Sequence, residues 1–109
     1  MGTEKKLIRK AFRDACYKRD KYCCAMCKFK SSPENAEEDL DAHHITDRNL
    51  LPNGGYVVQN GISLCSDCHI KAEIFHSTGT AHPGYSTDDL YKVINSDLDS
   101  AIKASKKLG

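Results

Sequence analysis

The sequence predicts a small α+β domain clamped by a four-cysteine zinc site, with a basic helix ahead of its core and another helix behind it. Three observations carry that prediction. First, the chain has 109 residues, 39% of them apolar, with three Phe and no Trp. That is the length of one domain, and its apolar share lies below the ~45–50% usual for globular chains, so apolar burial needs help from another source. Second, two Cys-x-x-Cys pairs, Cys24/Cys27 and Cys65/Cys68, are candidates for that help. Third, helix-period apolar stripes stand near both ends of the chain, with short β-prone runs between them.

From Thr3 to about Arg19, Leu7, Ile8, Ala11, Phe12, Ala15 and Cys16 recur at helical spacing, and Lys5, Lys6, Arg9, Lys10 and Arg13 fill most other positions. Ser31 to Asp39, with Pro33, Asn35 and four acids, reads as loop. Asp41 to Ile45 is a short strand candidate, and Asn53-Gly54-Gly55 marks a turn. Tyr56-Val57-Val58 is β-prone, Asn60-Gly61 interrupts it, and Ile62 to Leu64 is the next strand candidate. A helix from Asp67 to about Phe75 ends near Gly79, and Thr80 to Gly84 connects onward. Ser86-Thr87-Asp88-Asp89 opens a C-terminal helix over about 88–107, its stripe Leu90, Val93, Ile94, Leu98, Ala101 and Ile102. No composition shift marks a domain boundary, so residues 1–109 read as a single domain with its core at about 19–76.

Six cysteines without an apolar signal region at the N-terminus read as metal ligands more naturally than as disulfides. The two pairs are separated by 37 residues. A two-residue spacer lets one tight turn aim two sulfurs at one ion, and two such turns complete the tetrahedron of thiolates that structural zinc takes. Such ligation supplies roughly 10–16 kcal/mol in zinc-finger peptides, enough to offset a thin core. Cys23 adjoins Cys24 and offers a three-residue spacer, but the symmetric pairing is preferred; Cys16, on the apolar stripe, reads as a small buried hydrophobe.

Charge nearly cancels over the chain but not along it. Residues 1–30 carry ten Lys/Arg against three acids, and residues 31–60 carry one Arg against six. A basic first third is a phosphate-attracting face, with Lys5, Lys6, Arg9, Lys10, Arg13, Lys18 and Arg19 as candidates for backbone contacts. No run approaches the ~18 apolar residues of a membrane span, and Lys6 stands where a myristoylation motif wants Ser or Thr. The expected setting is cytoplasmic, with no membrane partner.

Three histidines are left over once four thiols satisfy a zinc ion. His43 and His44 are adjacent in Asp41-Ala-His-His-Ile-Thr-Asp-Arg48, and His69 follows the last cysteine. Adjacent residues of a strand face opposite ways, so one of the pair can bind a metal while the other stays free as a base. His69, at the start of a helix braced by the second cysteine pair, is placed as a further ligand. A neutral imidazole near pH 7 accepts a proton, so a rate limited by such a base should rise with pH through the imidazole range.

The order Arg19-Asp20-x-x-x-Cys24-x-x-Cys27, Ala42-His43-His44-Ile45, then Asn60-x-x-x-Leu64-Cys65-x-x-Cys68-His69-x-Lys71 resembles the zinc-containing HNH endonucleases. The resemblance covers residues 19 to about 76. It implies a ββα-metal core whose base is clamped by Cys24, Cys27, Cys65 and Cys68. It further implies that His43 is the first ligand of a catalytic divalent ion, where many members carry Asp, and that His69 is the second. His44 matches the general base, and Asn60 matches the central Asn that bridges the loop and orients that base. The segment between His44 and Asn60, including Leu50 to Gly55, is longer than the family's pattern.

The function so implied is metal-dependent hydrolysis of phosphodiester bonds in DNA, RNA being an open alternative, by a monomer or a homodimer. The cofactors expected are structural Zn2+ and one catalytic divalent cation, Mg2+, Mn2+ or Ni2+. Arg48, Lys6, Arg9 and Arg13 are the substrate-binding candidates. Glu73, one helical turn after His69, is a candidate for the ion directly or through water, and Lys71 for a phosphate; His76 and His82 read as surface residues. The rival reading is a zinc-stabilised nucleic-acid-binding module without catalysis, which leaves His43, His44 and His69 unexplained. A zinc-based protein-interaction domain, docking through the acidic 34–41 stretch, explains still less.

Overall fold

In the computed structural model, which describes residues 2–108, the basic stripe forms helix α1, Gly2–Arg19. Only its second half is used for packing: Phe12, Cys16 and Tyr17 are buried, whereas Leu7 is 62% exposed and Ile8 37%. The reason is length. An 18-residue helix runs ~27 Å, and the sheet beneath it has only two strands of five residues, ~17 Å long.

Those strands are β1, Leu40–His44, and β2, Gly61–Cys65, antiparallel with Leu40 opposite Cys65 and His44 opposite Gly61. β1 has no residue left to pair with Tyr56-Val57-Val58, so that β-prone run is not a strand. Its last residue instead enters a short 3-10 turn, Val58–Asn60. A Cβ at Gly61 would collide with Cys16 Sγ and the Phe12 ring, so the missing side chain is what lets α1 lie directly on β2.

Short helix α2, Ala36–Asp39, occupies the end of the predicted loop. Helix α3, Ser66–Thr78, follows β2 and stops at Gly79 in the left-handed conformation. The predicted single C-terminal helix is two helices, α4 (Thr87–Val93) and α5 (Leu98–Lys106). Each has its own start signal: Ser86 and Asp89 form a capping box, and Asp97 accepts from Ser100 N at 2.7 Å. Asn95, at φ 55°, turns the chain between them, and Ser96 Oγ donates to Gln59 O at 2.8 Å. α5 is thereby brought against the 52–60 segment, where Asn53 Nδ2 donates to Ser105 O at 2.9 Å.

Leu40, Ile45, Ile62, Leu64, Leu90 and Ala101 are each at most 2% exposed and form the core between sheet, α3 and the C-terminal helices. Arg19 ties the end of α1 into it, donating to Val58 O and Gly61 O at 2.7 Å each. This small mixed α+β arrangement, two antiparallel strands followed by a helix, is consistent with a ββα-metal fold.

Candidate functional site

The four paired cysteines converge at the end of the sheet. Cys24 and Cys27 lie on a turn in which Lys28, at φ 70°, reverses the chain and Ala25 N donates to Ser63 O of β2 at 2.8 Å. Cys65 ends β2 and Cys68 sits in the first turn of α3. All four sulfurs lie within 4.8 Å of one another, and Cys27 Sγ is 3.6 Å from Cys65 Sγ. Four thiolates at ~2.3 Å from a tetrahedral zinc are ~3.8 Å apart, so the residues fit the ion. Burial raises the Cys24 thiol, but backbone N–H groups of Cys27, Cys65 and Met26 outweigh it and bring the thiol down to about 7. Cys23 Sγ points instead at Lys21 O, 3.4 Å away. Cys16 is fully buried in the core, and burial pushes its thiol up to about 12.

Strand alternation separates the histidine pair. Asp41 and His43 face α3; Ala42 and His44 face α1. On the α3 side, His43 Nδ1 lies 3.1 Å from Glu73 Oε1, and His69 Nε2 lies 3.2 Å from the same oxygen. His69 and Glu73 are four apart on α3, so they share one helix face. Asp41 Oδ2 is 3.2 Å from His69 Nδ1, a contact that fixes the ring and aims Nε2 at Glu73. Ligand atoms of His43, His69 and Glu73 all lie within 4.8 Å of one another. Among the described residues, the buried Nε2 atoms of His43 and of His44 have no hydrogen-bond partner. Two imidazoles and a carboxylate converging at such distances fit a first-row divalent ion and leave its remaining positions open. Glu73 thus stands with His43 and His69 in the cluster. Burial, with the neighbouring imidazoles of His69, His76 and His44, holds His43 down to about 3.

His44 stacks on Phe12, centroids 4.7 Å apart at 28°, and meets Tyr56 edge-on at 4.7 Å. It lines a cleft of about 240 Å³ with Asp47, Arg48, Glu73 and His76. Burial, helped by Arg48 and opposed by Asp47, brings its imidazole down to about 4, so the ring is neutral at physiological pH.

Asn60, fully buried, makes no hydrogen bond to the His44 ring. Its Oδ1 accepts from Thr46 N at 2.9 Å and from Tyr91 OH at 2.7 Å, and its Nδ2 donates to Thr46 O and Gly55 O. The amide is saturated by Thr46 and Gly55 of the loop that leaves β1 and by Tyr91 of α4, so its grip is on the backbone just after His44 and not on the imidazole.

His76 departs from its expected surface role. It is three residues beyond Glu73 on the same face of α3, stacks on His43 at 5.2 Å, and donates from Nε2 to His44 O at 3.0 Å. The spacing of His69, Glu73 and His76 at i, i+4 and i+7 is the signal that could have recruited it. His82 lies against Tyr85 and Lys71 over the Tyr85 ring, both away from the cleft.

The four cationic candidates divide. Arg48 Nη1 donates to Tyr56 OH at 3.2 Å, and the Arg9 guanidinium lies 5.8 Å from the centre of the same ring. Arg13 pairs with Glu37 at 3.5 Å, while Lys6 is exposed on the free half of α1. Among the described residues, no helix is long and apolar enough to cross a membrane.

Comparisons with curated proteins and with solved structures give no match. A comparison with protein-family models matches residues 24–73 to the family described as HNH endonuclease, a span holding His43, His44, Asn60, His69, Glu73 and all four paired cysteines.

Proposed function

With residues 24–73 forming an HNH endonuclease segment, we propose that this chain is a metal-dependent endonuclease hydrolysing phosphodiester bonds in DNA. An HNH segment implies a nuclease-type or nucleic-acid-related function; the finer reading rests on one observation. His43, His69 and Glu73 converge on one point beside a cleft that His44 also lines.

His43, His69 and Glu73 would hold one divalent cation, which when bound polarises phosphate and water and offsets charge on the transition state. His44, outside that set, takes the proton from the attacking water. Held neutral by burial, it is in the accepting form at physiological pH. Asn60 and His76 are positioning residues: both hold the backbone that carries His44, through Thr46 and through the His44 carbonyl. Asp41 keeps His69 in the ring orientation that leaves Nε2 for the ion. Cys24, Cys27, Cys65 and Cys68 would hold a structural zinc that fixes where β2 ends and α3 begins, and so where His69 and Glu73 point. Arg9, Arg13, Arg48 and Lys6 supply charge for the nucleic-acid backbone, with α1 alongside the cleft.

Supercoiled plasmid incubated with the purified protein across Mg2+, Mn2+ and Ni2+ should become nicked or linear with at least one ion and stay intact with none. Retention of the plasmid without cleavage under every ion would leave a zinc-stabilised nucleic-acid-binding module in place of an enzyme.

A further inference from the structure

We propose that Arg9, Arg48 and Tyr56 form a second phosphate subsite beside His44, which seats a backbone phosphodiester neighbouring the one cleaved. The inference rests on the nuclease reading above and names where its substrate continues.

The chain has four arginines, and the structure divides them two and two. Arg13 is paired with Glu37 at 3.5 Å and Arg19 with Asp20 at 2.7 Å. Among the described residues, neither Arg9 nor Arg48 is in an ion pair, yet both converge on one tyrosine. Tyr56 is itself fixed: its ring stands edge-on to both Phe12 (5.7 Å) and His44 (4.7 Å). Two unpaired guanidiniums held by a rigid phenol, without a carboxylate between them, make a place for an anion from outside. Consistent with that field, Arg48 and Arg9 outweigh burial and lower the Tyr56 phenol.

The hollow here is about 220 Å³, and Arg9, Phe12, His44, Arg48 and Tyr56 are among its walls. His44 and Arg48 also wall the cleft that Glu73 and His76 line. One strand of a polyanion lying across His44 therefore meets the convergent ligands on one side and this pair of arginines on the other. Guanidiniums suit phosphate because they donate to two of its oxygens at once. Arg9 comes from α1, outside residues 24–73, so this half of the subsite is an addition of this chain to the matched segment.

Two binding measurements, neither needing cleavage, test the subsite. Inorganic phosphate titrated into labelled protein should shift the Arg9 and Arg48 Nε–H and the Tyr56 ring resonances saturably, and R9Q/R48Q should abolish the Tyr56 shift. For a short DNA duplex without added divalent ion, R9Q/R48Q should weaken binding about tenfold. It should also reduce the slope of log affinity against log salt by about 0.9, one phosphate's worth. R9K/R48K should restore the slope. Retained zinc shows that a variant is folded. If R9Q/R48Q does not fold, Y56F keeps the ring packing, and should lose the Arg48 shift and part of the slope. An unchanged DNA slope in folded R9Q/R48Q overturns the proposal. Phosphate shifts accompanied by such an unchanged slope overturn it too, in favour of a free-phosphate site. A protein that passes both measurements but cuts no plasmid keeps the subsite and loses the nuclease reading.

Discussion

The two ligand clusters share elements yet differ in number and access. Cys65 and Cys68 bracket the β2–α3 junction for one cluster, and His69, one residue later, begins the other. Four thiols facing one another within 4.8 Å complete a tetrahedron and leave nothing for a substrate to reach. Two imidazoles and a carboxylate stop at three, next to a cleft that Glu73 and His44 line. Donor count and neighbours, more than residue type, thus separate a closed, chain-holding cluster from one with room for a substrate. Their adjacency follows the same logic: zinc in the closed site would immobilise the helix start from which His69 and Glu73 project.

Breaking the closed site should have the largest effect. Cys65→Ser removes a ligand whose ion is worth roughly 10–16 kcal/mol in comparable sites, so the domain should lose its zinc and its cooperative unfolding transition. Cys16→Ser should keep both, because Cys16 lies outside the cluster. Metal analysis alongside thermal unfolding checks the pair, and a folded, zinc-free Cys65→Ser would dissolve the contrast between clusters.

Within the open site, the two adjacent histidines should fail differently. His44→Ala should lose roughly 10²–10⁴ in rate, the scale of a general base, and should not recover at high metal concentration. His43→Ala and His69→Ala should weaken the divalent ion itself, so that raising its concentration partly restores cleavage. Rates and calorimetric metal titrations of the three variants separate base from ligand.

Asn60→Ala lies between the clusters in kind, since it strips partners from Thr46 and Tyr91 in a buried setting. A loss of about 3 kcal/mol is expected from the groups left unpaired, with zinc retained. Denaturant unfolding measures it; an unchanged midpoint with slower cleavage would instead give Asn60 a direct part in the chemistry.

The smallest expected effect is that of pH near neutrality. His44 and His43 are brought down to about 4 and about 3, and each would serve unprotonated, as base and as ligand. Cleavage should therefore be nearly flat from pH 6 to 8 and decline as pH falls towards 4, not rise through the ordinary imidazole range that the sequence alone suggests. A half-maximal rate near pH 6.5 in a pH–rate profile would show that His44 is not desolvated during catalysis.

Locally coded features of this protein are legible in its amino-acid order alone. Two-residue spacers state the cysteine pairing, 3.6-residue periodicity states α1, Gly79 states where α3 stops, and the adjacency of His43 and His44 states that they face apart. Ser86 and Asp97 even carry the caps that split the C-terminal helix, although the continuous apolar stripe masks the break. Meetings between residues far apart in the chain come from packing instead. Asp41 and Glu73 reach His69 and His43, His76 turns inward, Asn60 grips Thr46 and not the imidazole, and Arg9 meets Arg48 at Tyr56. Tyr56-Val57-Val58 has strand-forming side chains but no strand because β1 ends too soon to pair with it. Spacing fixes which way a side chain leaves its own element; which element stands opposite depends on packing, and no local pattern records it.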